Sequence, residues 1–191
     1  MDILKFIVDQ INSQSALNKL SQSSGAKPDK VQQLTQLGIP ALLQALGRNT
    51  STSEGAASLA KALDQHKDDD VENVEGFLNN VNTDDGAKIL QHIFPGNKDR
   101  VQKNLAKQTG LDTGQVSSIM TQLAPLLLGA LGQQKKQQNL DVSGITGLLS
   151  GLSNQGNKSG LMDVVNKLLD SDNDGNIIDD ISSKLGRFFK K

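Results

Sequence analysis

The amino-acid sequence predicts an all-α fold of duplicated helical bundle units with Pro-kinked helices, followed by a short C-terminal helix-loop-helix with an acidic loop. Apolar residues recur at the three- and four-residue spacing of amphipathic helices. Glycine and proline end or interrupt these patterns, and one long stretch of the chain recurs later in the sequence. The 191 residues are enough for a sizeable core, which must be aliphatic because Trp and Tyr are absent and only five residues are Phe.

The first predicted helix covers residues 2–12, where the apolar side chains fall on one helical face: Ile3, Leu4, Ile7, Val8 and Ile11. These residues lack the basic start, apolar run and cleavage site of a secretory signal, so we expect a cytoplasmic protein. The longest apolar stretch, residues 123–131, is far shorter than the ~20 residues of a membrane helix. No transmembrane segment is therefore expected.

The next stretch of the chain is repeated. A shift of 85 residues aligns residues 20–47 with residues 105–132 without a gap. Chance would give roughly two identities at ordinary residue frequencies, whereas nine are found: Leu20/Leu105, Gly25/Gly110, Val31/Val116, Pro40/Pro125, Leu42/Leu127, Leu43/Leu128, Ala45/Ala130, Leu46/Leu131 and Gly47/Gly132. We interpret the repeat as a duplicated helical subdomain.

The repeated glycines and prolines predict where helices end. Gly25 and Gly110 are expected to be left-handed helix caps, with Pro28 opening the next helix of the first copy and Asp112-Thr113 that of the second. Pro40 and Pro125 lie inside long apolar patterns, where the missing N–H should kink or break the helix. Gly47 and Gly132 are expected to end it.

Polar segments should follow these ends at residues 48–54 and 133–139, and short helices should come next at residues 56–63 and 142–149. Between the copies, residues 66–70 are predicted to form a charged loop that contains His66. Thr83-Asp84-Asp85 is a helix start, with a hydroxyl cap followed by acids at the positive helix end, and Pro95-Gly96 is the end of that helix.

The chain divides into four predicted parts. Residues 1–66 form a helical unit with the first repeat copy, and residues 67–150 form a second unit with the other copy. Residues 151–160 form a flexible linker within a Ser-, Asn- and Gly-rich stretch that begins at Ser150. Residues 161–191 form a helix, an acidic loop and a helix, with the helices at residues 161–169 and 181–189.

Three stretches carry a resemblance to a known family. They are Asp84-Asp85-Gly86 to Phe94, then Val101 to Gly110-Leu111, and Gln122-Leu123-Ala124-Pro125 to Gly132. The chain resembles the bacterial domain-of-unknown-function family 937 and YidB-like helical proteins. The resemblance implies an all-helical fold and leaves the activity open, because none is established for the family.

The strongest chemical signal is Asp170-Ser171-Asp172-Asn173-Asp174-Gly175, in which three carboxylates alternate before a turn glycine. This spacing points several oxygen ligands at one hard cation, so Ca²⁺ is the predicted cofactor. The predicted metal ligands are Asp170, Asp172, Asp174, Asn176 through its carbonyl, and Asp179 or Asp180. Ile181 occupies the position of the bidentate Glu of an EF-hand, and the alternative is a solvated acidic turn that caps the following helix.

A second pattern lies in residues 102–120, where Ala106, Gly110 and Val116 have helix-turn-helix spacing. The candidate recognition helix, residues 114–120, contains no Arg or Lys, and Gln115 alone could read a base. The duplicate hairpin contributes only Lys27 and Lys30. Structural packing is the preferred interpretation, and with a net charge of −1 no nucleic-acid partner is expected.

No enzymatic activity is expected. His66 and His92 have no Glu or His at the spacing of a helical zinc pair, and the chain lacks Gly-x-Ser-x-Gly and Walker-type loops. The basic segment 184–191, with Phe188 and Phe189, is predicted to dock on the core; membrane contact is the alternative. The leading hypothesis is a helical scaffold or interaction protein that binds Ca²⁺ and an unknown protein partner; the alternative is a weak DNA-binding protein.

Overall fold

The computed structural model describes residues 9–156 and 161–169, and all regular elements in these ranges are helices. After helical residues 9–11, the described helices are α1 (Gln14–Ser24), α2 (Pro28–Asn49), α3 (Ser53–His66), α4 (Val74–Asn80), α5 (Thr83–Ile93), α6 (Lys98–Thr109), α7 (Thr113–Gln138), α8 (Val142–Gly156) and α9 (Leu161–Leu169). The fold is all-α, as predicted.

The turns before the two longest helices follow the sequence prediction. Gly25 caps α1 with φ 68° and Gly110 caps α6 with φ 71°, the left-handed conformation that glycine adopts without steric cost. Asp112 begins α7 with a capping box: its carboxylate accepts from the Gln115 N–H at 2.8 Å, and its own N–H donates to Gln115 Oε1 at 3.2 Å. These contacts fix the direction in which α7 leaves the turn.

The predicted helix ends at Gly47 and Gly132 are wrong. Helix α2 continues to Asn49, and α7 continues to Gln138, so most of the polar segment predicted at residues 133–139 is helical. Gly132 serves close packing instead: a Cβ there would lie 2.6 Å from the carbonyl oxygen of Leu63. The absence of a side chain lets α3 cross α7 at this point.

Neither proline interrupts its helix, since Pro40 lies inside α2 and Pro125 inside α7. Pro125 has no N–H to donate to the carbonyl of Thr121 four residues earlier. Gly86 of α5 packs against this carbonyl so closely that a Cβ would lie 1.9 Å from the oxygen. A kink or a break was predicted from the lost hydrogen bond; the break does not occur, because the flanking turns and the packing of α5 keep α7 continuous.

Three smaller boundary predictions also need correction. Helix α8 runs through residues 151–156, which belong to the linker predicted at residues 151–160, because Leu149 and Leu152 of this helix are buried. His66 is the last residue of α3 and not part of a loop. Asn82 caps α5, with Thr83 as its first residue, because the Asn82 side chain accepts from the N–H groups of Asp84 and Asp85.

The core lies along the two long helices. Helix α7 packs against α5, α3, α1 and α6, while α2 packs against α8, α9, α1 and α6. The side chains predicted to form the core of the two copies are all buried: Val31, Leu34, Leu42, Leu43, Leu46, Val116, Ile119, Leu127, Leu128 and Leu131. Helix α3, which follows α2 in the chain, packs on α7, and α8, which follows α7, packs on α2.

Candidate functional site

The residues predicted to bind Ca²⁺, from Asp170 to Asp180, lie outside the described residues, as do the predicted helix at 181–189 and the basic segment 184–191. The helix that leads to them is described. Residues 161–169, which were predicted to be helical, form the described part of helix α9 and directly precede Asp170.

Helix α9 is anchored on the body of the protein. Val165, Leu168 and Leu169 are buried against the core. On one side, Gln44 of α2 donates through Nε2 to Asn166 Oδ1; on the other, Asn104 of α6 donates through Nδ2 to the Leu168 carbonyl at 3.2 Å. The end of α9 is thus held beside α6.

A cleft of about 480 Å³ lies where α3 ends, α4 and α5 begin, and α7 passes with Pro125. Its lining combines carboxylates, amides, a histidine and apolar side chains, namely Gln65, His66, Asp69, Asp70, Asn73, Gly76, Phe77, Asn80, Val81, Asn82, Asp85 and Pro125. The lining includes no Lys or Arg, so its charge is negative. Cleft residues of this composition favour cationic ligands with N–H donors.

His66 faces two carboxylates of the cleft lining. Its Nδ1 lies 2.8 Å from Asp69 Oδ2, and because a carboxylate only accepts, Nδ1–H is the donor. Its Nε2 faces Asp85 Oδ2 at 3.6 Å, which is too long for a hydrogen bond. The imidazole of His66 therefore lies between two carboxylates, those of Asp69 and Asp85.

The backbone that carries Asp69 is also held in place. The Asp69 carbonyl accepts from Gln133 Nε2 of α7 at 2.8 Å and from the Val71 N–H at 2.9 Å. Sequence reasoning missed this site because it placed His66 in a loop. The signal available was the i, i+3 spacing of His66 and Asp69 at a helix end; the partner from α5, Asp85, comes from tertiary packing.

Two ion pairs join α3 and the loop after it to α7, close to the cleft. Lys135 pairs with Asp64, and Lys136 pairs with Asp68. The hydrogen bond from Lys135 holds the pKa of Asp64 below its ordinary value, and the hydrogen bond from Lys136 does the same for the pKa of Asp68.

Gln115, the side chain predicted to read a base in the alternative hypothesis, and its neighbour Ser118 both hydrogen-bond to the backbone of α1 and its cap. Gln115 Nε2 donates to the Gly25 carbonyl at 3.0 Å, and Ser118 Oγ donates to the Ser23 carbonyl at 3.4 Å. These contacts join the start of α7 to the end of α1. His92, the other histidine, lies exposed on α5, whose end is held by Asn49 through the carbonyls of His92 and Ile93.

Within residues 9–156 and 161–169, no three or more His, Cys, Asp or Glu side chains are grouped closely enough to hold a metal ion. Among the described helices, none has the length and apolar character needed to cross a membrane.

A family model described as "Bacterial protein of unknown function (DUF937)" matches residues 7–134, which is more than half of the chain. The matched range contains both stretches of the predicted repeat and the whole cleft. No curated protein and no solved structure matches the chain.

Proposed function

The chain belongs to the family of bacterial proteins of unknown function (DUF937), and from this premise we propose that it is a non-enzymatic helical interaction protein with a Ca²⁺-binding C-terminal loop. The observation that carries the proposal is the anchoring of α9, whose last described residues, Leu168 and Leu169, are buried directly before the first predicted ligand. In Ca²⁺-binding units of the EF-hand kind, the DxDxDG loop follows directly on a helix. The buried side chains of Leu168 and Leu169 hold α9 in place.

The proposed coordination uses oxygen ligands throughout, as Ca²⁺ prefers. Asp170, Asp172 and Asp174 provide carboxylates, Asn176 provides its backbone carbonyl, and Asp179 or Asp180 closes the shell. Several carboxylates in one tight turn repel each other, so a bound divalent cation stabilises the turn. With Ile181 in place of the bidentate Glu, the expected affinity lies at the weak, micromolar-to-millimolar end for such loops.

Calorimetric titration of the intact protein with Ca²⁺ tests this proposal. We expect saturable heat that is lost in the Asp170→Ala/Asp174→Ala variant and kept in Glu72→Ala/Glu75→Ala, which removes two exposed carboxylates elsewhere. Mg²⁺ should compete poorly, because it needs a smaller octahedral shell and releases water reluctantly. Equal heat in the first variant, or none in the intact protein at millimolar Ca²⁺, would leave the acidic-turn interpretation.

The cleft beside His66 supports the interaction part of the proposal. Asp69, Asp70 and Asp85 make it negative, and Phe77 adds an aromatic ring to its lining. A lysine or arginine side chain of a protein partner suits this combination, because it brings positive charge, N–H donors and an apolar stem that packs on a ring.

Agmatine, which carries one guanidinium and one ammonium group, is a suitable probe for the cleft. Titration followed by NMR should shift the ring signals of His66 and leave those of exposed His92 unchanged. Asp85→Asn should weaken the shift, while Asp112→Asn, which alters a helix cap outside the cleft, should not. Equal shifts at both histidines would mean nonspecific association and would contradict the cleft as a docking site.

A further inference from the structure

Helix α6 exposes three cations on one face. Arg100, Lys103 and Lys107 are all exposed, and their spacing of three and seven residues places them in one narrow arc of the helix. No ion pair joins any of them to another residue in the described part of the chain. Asp99 is the single acidic residue of α6. We call Arg100, Lys103 and Lys107 the α6 stripe.

The end of α9 lies at the edge of this stripe. Asn104, which donates to the Leu168 carbonyl, is four residues after Arg100 and three before Lys107, so it shares their side of the helix. Arg100 and Lys107 are separated from Asn104 by rises of roughly 6 Å and roughly 4.5 Å along the helix axis. The chain therefore leaves the described structure beside three exposed cations.

The segment that follows is strongly acidic. Residues 170–180 contain five Asp and no Lys or Arg. Asp170 is two residues after Leu168, so their Cα atoms are at most about 7.6 Å apart, since consecutive Cα atoms are about 3.8 Å apart. The segment therefore begins close to Asn104, which contacts Leu168. Carboxylates of the segment that come within about 8 Å of the stripe, the screening length at physiological ionic strength, are attracted to it with only partial screening.

We propose that the acidic segment 170–180 is the occupant of the α6 stripe in the absence of Ca²⁺, and that Ca²⁺ releases the stripe. The second half rests on the proposed function: a bound ion offsets the charge of the carboxylates of Asp170, Asp172 and Asp174 and so weakens their attraction to Lys103 and Lys107. Ion binding reduces the net charge of the segment from about −5 to about −3 and engages the ligating carboxylates at the ion. The stripe then becomes available at the surface.

Carbodiimide crosslinking of the full chain in EDTA tests the docking, because this reagent joins only amines and carboxylates that are already in contact. Mass spectrometry should find crosslinks from Lys103 and Lys107 to residues 170–180, and none from Lys61 or Lys88, which are exposed on α3 and α5. In about 1 M salt, where the screening length is roughly 3 Å, these crosslinks should disappear. Their absence in EDTA, or equal yields at Lys61 and Lys88, would overturn the docking.

Acetylation of lysine amines tests the release. Saturating Ca²⁺ should raise the labelling rates of Lys103 and Lys107 several-fold relative to Lys61 and Lys88, and the Asp170→Ala/Asp174→Ala variant should show no change with Ca²⁺. Unchanged rates together with calorimetric heat would overturn the release and leave the docking in place. Absence of calorimetric heat would overturn the proposed function instead, and the crosslinks in EDTA would still decide the docking.

Discussion

At the scale of single residues, the glycines of this chain have two different roles. Gly86 and Gly132 let other helices approach, because a Cβ at either position would lie within 3 Å of a backbone carbonyl oxygen. Gly147 of α8 has no such neighbour, as nothing lies within 4 Å of its ideal Cβ position. Helix propensity alone favours alanine at all three positions, so packing decides whether the substitution raises or lowers the free energy of unfolding.

We therefore predict opposite effects of alanine at these positions. Gly86→Ala and Gly132→Ala should each lower the free energy of unfolding by about 1–3 kcal/mol, the usual cost of overpacking. Gly147→Ala should raise it by up to about 1 kcal/mol, because alanine restricts the unfolded chain and favours a helix. Urea unfolding followed by circular dichroism measures all three. Stabilisation by Gly132→Ala would contradict the close crossing of α3 and α7.

The burial of individual residues was predictable where periodicity determines it. Val31, Leu42, Val116 and Leu127 repeat at helical spacing, and each is buried. The role of Gly132 was not predictable, because a glycine inside an apolar helix can end it or admit a neighbour. The distinction depends on whether another backbone approaches, and local sequence does not contain that information. The contact between His66 and Asp85 was missed for the same reason.

At the scale of elements, caps determine where the helices begin. The capping box of Asp112 and Gln115 satisfies two N–H groups at the start of α7. Asp112→Ala should therefore cost about 0.5–2 kcal/mol of stability in urea unfolding. Asp29→Ala is a suitable control, because Asp29 lies in the first turn of α2 and does not cap it. Equal losses of stability in both variants would mean that the capping box adds nothing beyond the attraction of an acidic side chain to the positive start of a helix.

The ion pairs between the α3 region and α7 give the protein a dependence on acidic pH. The pKa values of Asp64 and Asp68 are lowered in the folded protein by hydrogen bonds from Lys135 and Lys136, so folding favours the charged carboxylates. This contribution is fully present above the ordinary pKa of 3.8 and is lost as pH falls through the lower folded values. Both carboxylates are largely exposed, so the contribution is small.

We predict that the urea midpoint falls as pH is lowered from about 5 to about 2, and that Lys135→Met/Lys136→Met reduces this fall. The matched control, Lys61→Met/Lys88→Met, removes the same charge from exposed positions and should keep the full fall. High salt should diminish the difference between the variants. Identical pH profiles for the two double variants would rule out a contribution from these ion pairs.

At the scale of the whole molecule, the long helices are covered by helices from the other half of the chain. Helix α3 packs on α7, and α8 packs on α2. The turns at Gly25 and Gly110 also lie close to the helix that follows the other turn. Gln115 Nε2 of α7 donates to the Gly25 carbonyl, and Lys30 Nζ of α2 lies 3.7 Å from the position that a Cβ of residue 110 would occupy. A shift of 85 residues relates Lys30 to Gln115 and Gly25 to Gly110, so the two pairs of residues occupy equivalent positions of the predicted duplication, and the pair Gln115 and Gly25 is joined by a hydrogen bond.

The all-α class and most helices were predictable from the sequence, whereas the packing of α3 on α7 and of α8 on α2 was not. Residues 20–47 and 105–132 carry similar apolar patterns, so α2 and α7 offer similar faces to a covering helix. Nothing local determines whether α3 covers the helix before it or the equivalent helix in the other half. The choice depends on the connections and on paired contacts such as Lys135 with Asp64, which exist only after the halves meet.

Because α3 packs on α7 and α8 packs on α2, we predict that the two halves of the chain unfold together. Leu43 and Leu128 occupy equivalent positions of the predicted repeat and are both buried. Replacing either by Ala should lower the free energy of unfolding by ~2–5 kcal/mol. Because each long helix is covered by the other half, both variants should keep one cooperative transition in urea. Circular dichroism is the suitable probe, since the chain contains no Trp or Tyr. Two unfolding steps in Leu43→Ala, with one half melting first, would contradict this prediction. The halves would then be independent domains. The contacts of α3 with α7 and of α8 with α2 would add little to stability.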